Sequence, residues 1–146
     1  MRKFPVVLGL VAALAVPSAA VVGLAGTSAA SSPAASCAKL SAKSGVVTIT
    51  SCTPKVAGYT SASGKEASLA LGGTLTWSTN NKTTIIAKPT LTAVTQNKCV
   101  GSGNTEDKAV GKIKGGTATY TPVGQSFTAY VCFKTVTLAP GTKATF

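Results

Sequence analysis

Apolar and polar residues alternate in short runs along most of the chain, the two-residue period of strands with one buried face. The strongest run is Phe127 to Lys134, where Phe127, Ala129, Val131 and Phe133 fall on one side. Thr74 to Ser78 alternates in the same way, with Leu75 and Trp77 on one face and Thr74, Thr76 and Ser78 on the other. Asn80-Asn81 then supplies residues tolerant of positive φ before the β-branched run Thr83 to Ala87, and together these segments predict a hairpin. Gly45 to Cys52, with Val46, Val47 and Ile49 beside threonines, predicts another strand, which Pro54 ends.

Between and after these runs the signals are turns and shorter strands. Ala57 to Gly64 is turn-rich, Glu66 to Leu71 fits either a short strand or one helical turn, and Pro89 marks a bend or an edge position before Thr90 to Thr95 alternates again. Cys99 to Asp107, with Gly101, Gly103 and Asn104, reads as a loop. Val110 to Lys114 and Thr117 to Thr121 predict two strands joined by Gly115-Gly116. Val136 and Leu138 follow, and Ala139-Pro140-Gly141 turns the chain into a terminal strand ending at Phe146. Seven or eight short strands with regular turn signals predict an all-β fold, an immunoglobulin-like two-sheet sandwich. Abundant Thr, Ser, Gly and Val, and scarce helix formers other than alanine, agree with that class.

The amino terminus has a different pattern. Met1, Arg2 and Lys3 form a basic start, and Phe4 to Gly26 carries no charge, which together read as a secretory signal peptide. Ser28-Ala29-Ala30 before Ser31 is the favoured cleavage point and Ser18-Ala19-Ala20 an earlier candidate; the competing reading is an uncleaved anchor. Cys37 lies past the polar stretch Thr27 to Ser36, too far along for a lipidated cysteine, and Arg2-Lys3 is no twin-arginine signal. The predicted organisation is a signal peptide at 1–30, a low-complexity segment with the first cysteine at 31–44, and the sandwich domain at 45–146.

Export into an oxidising space makes disulfides the default for the four cysteines, Cys37, Cys52, Cys99 and Cys132. Of the three connectivities, Cys37 with Cys52 and Cys99 with Cys132 is favoured because the intervening segments look like neighbouring strands, and a Cys52 to Cys132 bridge is the alternative. The first bridge closes a loop of about 15 residues and contributes roughly 3 kcal/mol on the chain-entropy model. No C-x-x-C pair and no histidine is present to build a zinc site, and a nucleophilic cysteine lacks its usual activating base.

Charge narrows the partners. The chain has 14 Lys+Arg against 3 Asp+Glu, and loss of Arg2 and Lys3 with the leader leaves twelve lysines, no arginine and a net charge of +9. Lysine is a hydrated point charge without the rigid fork that reads base edges, so sequence-specific nucleic-acid recognition is not expected. The bland reading of these lysines is a solvated surface that keeps an exported protein soluble. The sharper one is salt-sensitive adhesion to anionic cell-envelope polymers or a membrane surface, with Lys108, Lys112 and Lys114, the one local concentration, as candidate cationic contacts.

Candidate chemistry is sparse. Without histidine there is no Ser-His-Asp triad and no histidine base. Glu66, Glu106 and Asp107 are the only acids available for carboxylate catalysis, and three acids in a chain of 146 residues read first as surface groups. Ser36-Cys37-Ala38-Lys39 matches the S-x-x-K spacing of serine acyl-transferases but has no S-D-N or K-T-G partner. No phosphate-binding loop is present, and no cofactor is expected. Asn104, Glu106 and Asp107 offer oxygen ligands for calcium, though a solvated loop is the simpler reading. Asn81-Lys82-Thr83 fits a glycosylation sequon. Tyr59, Trp77, Tyr120 and Tyr130 are candidates for a carbohydrate-stacking surface, against which Trp77 shares a face with Leu75 and fits a core.

Gly73-Thr74-Leu75-Thr76-Trp77-Ser78, Lys82-Thr83-Thr84, Val131-Cys132 and Leu138-Ala139-Pro140-Gly141-Thr142 resemble a group of small, uncharacterised exported proteins of high-GC Gram-positive bacteria. The resemblance covers most of the chain after the leader on short structural motifs, and implies a β-sandwich with two local disulfides and no assigned activity. Tyr130-Val131-Cys132 also resembles the tyrosine two positions before the second cysteine of immunoglobulin domains. In those domains the tryptophan closely follows the first cysteine, whereas Trp77 lies 25 residues beyond Cys52. The expected function is that of an exported, non-enzymatic protein that binds or associates at the cell surface or in the medium. The rivals are a small carboxylate hydrolase and a protease-inhibitor-like module.

Overall fold

The computed structural model describes residues 34–56, 58–66, 70–78 and 81–146. The predicted leader, Ala57, Asn80 and the middle of the 66–71 segment lie outside the described residues; Glu66 and Ala70, on either side of that middle, are helical.

Among the described residues ten strands follow in order: β1 Ser36–Lys43, β2 Val46–Thr53, β3 Ser61–Lys65, β4 Gly73–Trp77, β5 Thr83–Ile86, β6 Thr90–Ala93, β7 Glu106–Gly116, β8 Ser126–Cys132, β9 Thr137–Leu138 and β10 Ala144–Thr145. Every pairing is antiparallel. The order β7-β5-β4-β3-β2-β1-β10-β8 returns to β7, so eight strands close a barrel, with β6 and β9 added outside the ring.

This closed barrel replaces the predicted immunoglobulin-like sandwich, and two features close it. β7 is long enough to pair through Glu106–Lys112 with β8 and through Ile113–Gly116 with β5. At the other seam, β10 bonds both β1, with Cys37 opposite Ala144, and β8, with Thr145 opposite Thr128. The two edges that a sandwich would leave open are therefore both hydrogen-bonded.

Three local expectations also change. The 31–44 segment is not an appendage, because β1 within it is a wall strand between β2 and β10. It meets β2 through Ser44-Gly45, whose φ values of 52° and 74° are those of a tight two-residue turn matched to strand twist. The stretch read as turn-rich supplies β3, whose small Ala62 lies opposite Trp77 and leaves room for the indole. Gly115-Gly116 is no hairpin turn, and 117–121 is not a strand. Gly116 has φ 125°, and a Cβ there would lie 2.2 Å from the Thr83 carbonyl oxygen, so its glycine permits a close approach of β5.

On β2 alternation is interrupted at Ser51, which has φ 55°, so that Ile49 and Cys52, an odd step apart, both turn inward. Cys37–Cys52 therefore bridges directly opposed residues inside the barrel, and Cys99–Cys132 ties the loop after β6 to the end of β8. This is the favoured connectivity.

One end of the interior is packed around Trp77. Its ring lies 5.2 Å from Tyr59 and 6.0 Å from Phe146, and Tyr120 meets Tyr59 edge-on at 4.8 Å. The indole Nε1–H donates to Thr84 Oγ1 at 2.9 Å, and that hydroxyl pairs with Thr121 Oγ1 at 2.6 Å, so the polar atoms among the rings are satisfied. Trp77 and Tyr59 are core residues, not a stacking surface. Thr84→Val keeps the volume but strands the indole N–H and the Thr121 hydroxyl. It is expected to lower unfolding free energy by about 2 kcal/mol, read by urea denaturation.

Candidate functional site

Two regions stand out, one on the outer wall and one inside. On β7, Ala109, Gly111 and Ile113 face inward while Lys108, Val110, Lys112 and Lys114 face outward, as alternation requires. The three lysines singled out from the sequence therefore share one face, spread over about 20 Å at the rise of an extended strand. Lys108 Nζ sits 5.8 Å above the Tyr130 ring on β8, and Lys112 Nζ donates to Ser126 Oγ at 3.1 Å and to the Gly124 carbonyl at 3.4 Å. Tyr130 and Ser126 thus hold two of the ammonium groups above the wall.

The carboxylate on the same face of β7, Glu106, is withdrawn from solvent. It is 3% exposed and accepts the Lys98 backbone N–H at 2.7 Å. Asn104 is buried beside it, its Nδ2 donating to the Val100 carbonyl and Thr135 Oγ1 and its Oδ1 accepting the Lys134 N–H. The loop read as solvated is therefore a folded cap held by these bonds and by Cys99–Cys132. Of the oxygens weighed as calcium ligands, Asn104 Oδ1 and Glu106 Oε2 are engaged in holding it.

The other candidate constellations come apart. In the S-x-x-K stretch on β1, Cys37 is buried in its bridge to Cys52 and Lys39 is exposed, and the chain supplies no S-D-N or K-T-G partner. Glu106 lies on the outer wall while Glu66 borders the interior, and adjacent Asp107 belongs to the opposite face of β7 from Glu106. Asn81 of the sequon is exposed, with φ 52° in the predicted turn.

Inside, the half of the barrel toward the Ser44-Gly45 turn is not filled by the described residues. A cavity of about 200 Å³ lies among β1, β2, β4, β5, β7 and β8, and its walls include Val47, Ile49, Leu75, Ile86 and Phe127. Phe146, at the boundary, touches the packed end and lines the cavity. Leu91, 48% exposed, and Phe133, 45% exposed, stand at its mouth with Val136. Among the described lining residues Glu66 is the one polar group. Its backbone N–H is fixed to the Gly45 carbonyl at 2.9 Å, and the residue also borders an outer depression formed by Ser44, Val46 and Lys65. Sequence reasoning missed the cavity because alternation tells which residues face inward, not whether they meet.

No protein-family model, curated protein or solved structure matches the chain.

Proposed function

We propose that the protein is an exported, non-enzymatic binding domain that attaches to anionic polymers of the cell envelope through the outer face of β7. The observation that carries this reading is the alignment of Lys108, Lys112 and Lys114 on one strand face whose own carboxylate, Glu106, is buried. A linear polyanion meets three ammonium groups in a row, and lysine point charges need no fixed partner geometry. Attraction of this kind sets affinity through charge density and falls as salt screens it. Two disulfides and the apolar leader support an extracellular setting. The rival carboxylate hydrolase draws no support from Glu106, whose oxygen is already engaged by the Lys98 N–H.

Co-sedimentation with purified envelope polyanions at low and high salt tests the proposal. Binding at low salt is expected to weaken tenfold or more in the Lys108→Gln/Lys112→Gln/Lys114→Gln variant, at up to about 1 kcal/mol per lysine near an anionic surface. A glutamine triplet elsewhere, at Lys39, Lys43 and Lys55, is the control for net charge. Equal loss in both triplets would leave only diffuse attraction, and absence of binding at either salt would end the proposal.

A further inference from the structure

We propose that the cavity inside the barrel is a binding site for a small neutral alcohol, one aromatic ring or short alkyl chain carrying a hydroxyl that donates to Glu66. This rests on observations separate from the lysine face. An eight-stranded barrel has an interior that side chains just fill or that holds one small ligand. Here the packing is divided between the two ends. Trp77, Tyr59 and Tyr120 crowd one, and the other is left open while apolar side chains on six wall strands surround it.

The size and chemistry of the space choose the ligand. About 200 Å³ exceeds the ~150 Å³ that suffices for benzene in an apolar cavity, so a single ring with one or two further heavy atoms fits. The mouth displays Leu91 and Phe133, large apolar side chains that solvent would otherwise not favour together, and these give an apolar molecule a continuous path inward. At the rim Glu66, whose backbone N–H bonds the Gly45 carbonyl, carries the one carboxylate among the described lining residues. A ligand carboxylate would face that carboxylate, and an ammonium would have to leave water for an apolar chamber. A neutral hydroxyl satisfies the acceptor without either penalty.

Benzyl alcohol and ethylbenzene have the same number of heavy atoms and differ in the donor, which makes them the probes. Calorimetry on the purified, disulfide-bonded protein is expected to show saturable one-to-one binding of both, with benzyl alcohol the tighter. In methyl NMR spectra the shifts are expected at Leu75, Ile86 and Val131. Ala109→Leu, which fills the chamber from β7, is expected to abolish binding of both probes. Val131→Phe fills it from β8 and repeats the test should the first variant fail to fold. Glu66→Leu is expected to weaken benzyl alcohol about tenfold and leave ethylbenzene unchanged, the size of effect for one hydrogen bond to a charged acceptor. No saturable binding, shifts scattered over the outer surface, or binding undiminished in a folded filling variant would overturn the site. Equal loss of both probes in Glu66→Leu would overturn the role of the hydroxyl.

Discussion

Replacing all four cysteines by alanine is expected to leave the chain unfolded in buffer at room temperature. The bridges close loops with sequence separations of 15 and 33, and the chain-entropy model assigns them about 3 and about 4 kcal/mol. A domain of this size is stable by roughly 5–15 kcal/mol in all, so the pair accounts for a large share. The core explains the dependence. Its largest side chains are few, alanines occupy many inward positions, and one end of the barrel is hollow. The Cys37→Ala/Cys52→Ala and Cys99→Ala/Cys132→Ala variants are expected to fold with intermediate stability, the second losing slightly more. Circular dichroism during thermal melting measures all three, and a quadruple variant that melts within a few degrees of the wild type would contradict the argument.

Trp77→Ala is expected to be the most damaging single substitution, lowering unfolding free energy by about 4 kcal/mol. The indole is fully buried, contacts Tyr59 and Phe146, and donates to Thr84. Ala62, opposite it on β3, cannot expand into the vacated space, so little of the loss is recovered by collapse. Urea denaturation followed by tyrosine fluorescence gives the magnitude. A loss no greater than that of Thr84→Val would mean that the hydrogen bond, not the ring packing, holds this end together.

What was legible in the sequence were features decided by neighbours in the chain. The hairpin of β4 and β5, the inward face of β8, the burial of Trp77 with Leu75 and the two local disulfides all follow from period-two alternation and turn residues. The lysine face was partly legible, since Lys112 and Lys114 are two apart and Lys108 falls in step with them. β7 itself was underestimated because Glu106, Asp107 and Lys108 are poor strand formers that pairing with β6 and β8 makes extended. β3, built from Ser61, Ala62, Ser63, Gly64 and Lys65, is likewise a strand because β2 and β4 bond it on both sides. Ser44-Gly45 did carry a turn signal, and reading it would have revealed β1. Closure was hidden for a different reason. Its seam, β10, has two residues, and nothing local about Ala144 and Thr145 says that they bond β1 on one side and β8 on the other. The hollow end is the product of all these placements and has no local signature.

That seam also orders events in time. Cys37 pairs with Ala144, and the Phe146 N–H bonds the Ala35 carbonyl, so the ring cannot shut until the chain has been synthesised through β10. A nascent chain halted before Ala144 has no β10 to join β1 to β8. Contacts of such long sequence separation form slowly. Until β10 is made, the edges of β1 and β8 that it joins therefore stay unpaired with each other.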